Sequence, residues 1–61
     1  MIVDDREVDR IAQTMIKQHG SNAALAAGTK LNNCIDQNDQ NGRDAWARIV
    51  HRIHEYQEHG A

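Results

Sequence analysis

A chain of 61 residues with one cysteine, Cys34, is one domain at most and has no disulfide framework to staple it. Seven basic and nine acidic residues give a formal net charge of −2, which argues against polyanion binding, and no run approaches the ~20 apolar residues that cross a bilayer. Phe is absent and Trp46 and Tyr56 are the only aromatics, so Ile, Val, Leu, Met and Ala must build the core, a thin supply that presses so short a chain toward a partner subunit.

The first element announces its start. Asp4 suits the N-cap, Glu7 then falls at N3 of a capping box, and Val3 and Val8 take the positions of a hydrophobic staple. Val8, Ile11, Ala12, Met15 and Ile16 follow one helix face. Lys17 and His19 favour the negative end of the helix dipole, and Gly20 supplies the left-handed residue that stops it. His19 continues the Val8–Ala12–Met15 line and is expected to be partly covered.

Ser21 is placed to cap a second helix at once. Its apolar stripe is made of Ala24, Ala27, Gly28, Leu31 and Ile35. Gly28 costs roughly 1 kcal/mol of helix propensity against Ala, which either a close helix contact offsets or the helix merely tolerates. Leu25 points well away from this stripe. The polar run Asn32 to Asn41 weakens the helix and ends it.

The third helix starts with Asp39, or alternatively Asn41, as N-cap. Gly42, Trp46, Ile49, Val50 and Ile53 form its inner face, with Tyr56 at the edge and its hydroxyl in water. Trp46 is the expected core anchor. The outer face is polar, with His51–Glu55, His54–Glu58 and Asp44–Arg48 at ion-pair spacing. His59, Gly60 and Ala61 should fray.

The pattern His19-Gly20, Ala23, Ala27, then Asp39, Gly42, Trp46 and Ile49 resembles a group of small all-helical alphaproteobacterial proteins. In that group a Gly often precedes the Asp, where Asn38 stands here. The resemblance runs from about Ile11 to Tyr56. It implies a compact helical domain and brings no catalytic residue with it.

Motifs that would carry chemistry fail on spacing. An EF-hand frame with Gly42 at its sixth position puts Arg48 where the bidentate Glu belongs. His54 and His59 lie one residue too far apart for the zincin motif. His51 and His54 could share a metal weakly on the outer face. His19 and Cys34 would need contact and an orienting third group to act as a nucleophile pair. Arg48 and Arg52 could face nucleic acid, but acidic Asp44, Glu55 and Glu58 interrupt them, and the turn before this helix reads as longer than a helix-turn-helix uses.

The expectation is an all-α, compact three-helix domain filling the whole chain, with helices near 4–19, 22–37 and 40–58. Its expected role is that of a small non-enzymatic interaction or regulatory module. Ile2, Leu25, Trp46 and Tyr56 are its candidate interface, toward a protein partner or a second copy in a homodimer. No catalytic residue, cofactor or metal is assigned. The start, Met1 to Asp5, lacks the features of a signal peptide, and a lone thiol fits a reducing cytoplasm.

Overall fold

Asp4 opens the first helix as its capping chemistry requires. In the computed structural model, which describes the backbone of residues 4–59 and the side chains of 4–58, Oδ1 of Asp4 accepts the Glu7 amide at 2.9 Å. The reciprocal half of the capping box does not form. The Glu7 carboxylate accepts from Arg10 instead, at 2.7 Å. The staple at Val3, the candidate contact at Ile2 and the frayed end at 60–61 lie outside the described residues.

Helix α1 (Asp5–His19) ends at Gly20, whose φ of 59° and ψ of −129° suit a residue without a Cβ. Its amide still donates to the Ile16 carbonyl. A single 3-10 turn, Gly20–Asn22, leads directly into α2 (Ala23–Asp36). Ser21 lies inside this turn and does not cap α2, and Asn22, at the cap position, makes no side-chain cap bond. Residues 5–36 are therefore one bent helical path, with no irregular segment between its arms. Helix α3 (Gln40–His59) is a separate rod. The chain is all-α, with no strand among the described residues, and its Cα radius of gyration is 11.0 Å.

The turn between α2 and α3 is three residues long, Gln37 to Asp39, and every part of it is bonded. Asn38 takes a left-handed φ of 57°. The Asp39 amide donates to the Cys34 carbonyl at 2.8 Å and the Asn38 amide to Ile35 at 3.1 Å, which is a Schellman closure. Asn is the residue other than Gly that best tolerates this backbone. Asp39 then caps α3, its Oδ1 accepting the Gly42 amide at 3.0 Å. The short turn folds α3 back antiparallel to α2. Cys34 lies against Gly42 at one end of the pair, and Gln57 donates to the Gly20 carbonyl at the other, 3.0 Å away.

Val8, Ala12, Met15, Ala23, Ala27, Ile49 and Ile53 form the buried cluster. Ile49 and Ile53 are its largest fully buried side chains. Trp46 packs against the cluster but is only half-buried, as do Ile11, Ile16 and Val50. The anchor expected at the indole thus falls one turn further along α3. In α2 the buried face is rotated from the expected stripe. Ala23 and Ala27 are inside, Ala24, Gly28 and Leu31 are half-buried, and Ile35 is 48% exposed. The cause is size. Alanines let α2 approach its neighbours closely, so the larger Leu31 and Ile35 are left on the flank of the contact.

The two helical glycines differ. A Cβ on Gly28 would meet nothing within 4 Å, so no close contact explains it. A Cβ on Gly42 would lie 2.5 Å from Oδ2 of Asp39 and 2.8 Å from Sγ of Cys34. Gly28→Ala should therefore stabilise the chain by about 0.5–1 kcal/mol through helix propensity. Gly42→Ala should destabilise it by about 1 kcal/mol net, because the cap and the thiol must move. Urea unfolding followed by circular dichroism checks both, and equal gains from the two substitutions would remove the tight contact at Gly42.

Candidate functional site

Two surface features involve the functional candidates, and both lie where α1 meets α3. The first is an open groove lined by Asp5 and Val8 of α1 and by Ala47, Arg48, His51, Arg52 and Glu55 of α3. Arg48, His51 and Arg52 are spaced three and four residues apart, so helix geometry brings them to one side. Nε2 of His51 stands 3.8 Å from Oε1 of Glu55, and Nε of Arg52 stands 3.9 Å from the same oxygen. His51 and Glu55 are exposed and Arg52 is half-buried at the surface, so these contacts are worth ~0–1 kcal/mol, and the histidine contributes charge only when protonated.

The groove gathers both arginines of the nucleic-acid reading and one histidine of the metal reading. His54 is not among its lining residues and is exposed. No group of three His, Cys, Asp or Glu side chains fit to hold a metal occurs among the described residues. Of the three ion pairs expected along α3, His51–Glu55 is present, while Asp44–Arg48 and His54–Glu58 are not within 4 Å. The turn ahead of α3 corrects another expectation, since three residues is a helix-turn-helix length. What the groove offers is a set of cationic donors partly offset by Asp5 and Glu55, a surface suited to a weakly held anion.

The second feature is a hydrogen-bonded clasp. The Tyr56 hydroxyl donates to Oδ1 of Asp9. Nε2 of Gln13 donates to Oδ2 of Asp9 at 2.8 Å and to the Tyr56 oxygen at 3.1 Å. The expected wet hydroxyl is thus tied to α1, although the Tyr56 residue is 38% exposed. A tyrosine on the flank of an apolar stripe needs a partner for its oxygen. Asp9 and Gln13, four apart on α1, supply it, and that i, i+4 pair is the signal sequence reasoning passed over.

The remaining candidates stand apart. His19 is exposed and not partly covered as its place in the Val8–Ala12–Met15 line suggests, because α1 ends there and the chain turns away. Cys34 is half-buried in a hollow with Ile35, Asn38, Asp39, Gln40 and Arg43, and His19 is not among these neighbours. Leu25 is 72% exposed. No helix of the described residues is long and apolar enough to cross a membrane. Compared with protein-family models, curated proteins and solved structures, the chain matches none.

Removing the clasp should loosen α1 from α3. Tyr56→Phe is expected to cost about 1 kcal/mol, since Asp9 stays in reach of water when its partner goes. Asp9→Ala should cost less in the Tyr56→Phe background than in the parent, and strict additivity in that double-mutant cycle would show that the two groups do not interact.

Proposed function

We propose that this chain is a small three-helix module without chemistry of its own, which works in the cytoplasm by binding protein, foremost a second copy of itself. The observation that supports this reading is where the large apolar side chains fall. Among the described residues, three of the seven that are buried are alanines, while Leu25 and Ile35 are exposed and Trp46 is only half-buried. Ile35 shares a flank of α2 with half-buried Ala24, Gly28 and Leu31. On α3, half-buried Trp46 packs at the margin of the core. Burying these side chains stabilises association by about 25 cal/mol per Å² of apolar surface before the cost of immobilising the partner. The likeness to small helical alphaproteobacterial proteins belongs to this proposal, as does the role of Leu25 and Trp46 as contact residues.

A second reading is favoured by one observation. The α2–turn–α3 unit has helix-turn-helix connection length, and α3 carries Arg43, Arg48 and Arg52. Asp44, Glu55 and Glu58 balance them on the same helix, so the phosphate attraction that drives such binding is weak.

Sedimentation velocity over the micromolar range should show reversible dimers of the parent. Ile35→Lys should weaken them about tenfold, equivalent to about 1.4 kcal/mol, with the helix content unchanged. A parent that stays monomeric throughout would end the first reading. For the second, duplex DNA at low salt should shift in mobility with the parent and lose the shift with the Arg48→Ala/Arg52→Ala variant. No shift, or one insensitive to salt, removes it.

A further inference from the structure

We infer that the bend at Gly20 is a hinge for exchanging α1 between two copies of this chain. The bend is confined to one joint. Residues on both sides are helical, the turn itself is helical in the 3-10 sense, and the Gly20 amide already makes the bond to Ile16 that a continuous helix would make. Gly20, at φ 59° and ψ −129°, departs furthest from helical values, while His19 (φ −115°, ψ −12°) and Asn22 (φ −91°, ψ 5°) on either side of the joint depart from them much less.

Straightening this joint would give one rod from Asp5 to Asp36, and its apolar face would stay in phase. At the α-helical twist, Val8, Ala12, Met15, Ala23 and Ala27 fall within an arc of about 120° on such a rod. Both arms therefore still present their buried residues to one side. In the closed chain α1 covers the α2–α3 pair of its own molecule. In the open form the α1 of a second copy covers the same surface, and the Asp9–Gln13–Tyr56 clasp forms between chains. Each contact of the closed core is remade once per copy. The exchange also supplies helical partners for the amides and carbonyls that helix ends at the bend leave without them. This is domain swapping, a low-cost route to a dimer when the connecting joint is short.

Two features hold the joint bent. Gly20 occupies a backbone conformation that a side chain opposes, and Gln57 of α3 donates to its carbonyl at 3.0 Å. A Cβ at Gly20 would meet nothing within 4 Å, so a substitution there acts through the backbone alone. The inference shares with the proposed function only its partner, a second copy, and uses a different surface.

Gly20→Ala should raise the dimer fraction at micromolar concentration about tenfold or more, since the bent backbone becomes costly and the straight one improves. Gln57→Ala, which leaves the backbone untouched, should raise it less but in the same direction. Spin labels at Arg10→Cys and Lys30→Cys, in a Cys34→Ser/Gly20→Ala chain diluted with unlabelled copies, then read the shape of a single chain. Twenty residues of straight helix separate them by about 30 Å. Packed side by side, the arms lie about 8–10 Å apart between axes and hold the labels much closer. A long intrachain distance in the dimer supports exchange. A dimer with the short distance, which association through Ile35 and Trp46 would give, overturns it and leaves the proposed function standing. Monomers only, or lost helix content, overturn it too, because an exchanged dimer keeps every helix.

Discussion

The fold depends on how closely α1 and α2 can approach the two isoleucines of α3. Ile49 and Ile53 are fully buried, and the cluster around them includes Ala12, Ala23 and Ala27. Each large aliphatic side chain taken from water contributes about 1.5–3 kcal/mol, and this chain has few to use. Alanine at the contact brings three backbones near enough to close over those few. It also decides what is left outside. A helix that touches its neighbours through Ala23 and Ala27 turns Leu31 and Ile35 to its flank, and the indole of Trp46 covers the edge of the core.

This is why the boundaries of the elements were more legible than the facing of the middle helix. Asp4, Gly20 and Asp39 act as caps by local geometry alone, and each does in the structure what its chemistry requires. The face of α2 is not a local property. Leu31 and Ile35 dominate any hydrophobic periodicity, yet the packing favoured the small residues, and Ala23 carries too little hydropathy to announce itself. Ser21 failed as a cap for a related reason. The chain keeps turning helically through Gly20–Asn22, so no free helix start was left for it to satisfy.

The candidate site was legible in its residues but not in its connections. Arg48, His51 and Arg52 share a face by spacing, and they line one groove. Glu55 stands between His51 and Arg52, and Asp5 reaches the groove from the other end of the sequence, which only the packing of α1 reveals. Tyr56 illustrates the same limit. Its place at the edge of the α3 stripe was evident, but the partners of its hydroxyl lie more than forty residues away.

Magnitudes order the readings of this surface. The groove on α3 has two arginines and a histidine facing two carboxylates, all near water, where each pair is worth ~0–1 kcal/mol and salt weakens it further. An anion held there would be held loosely. The apolar side chains left outside the core act differently, because their transfer from water scales with area and persists in salt. The exposed Ile35, with half-buried Leu31 and Trp46, therefore has more to gain from being covered than the groove has from being neutralised. Covering it requires no new charge, no cofactor and no change in the core, only a second apolar surface of matching shape. A copy of the same chain presents such a surface at a concentration equal to its own, so the balance of forces supports the proposed self-association over anion binding at the groove.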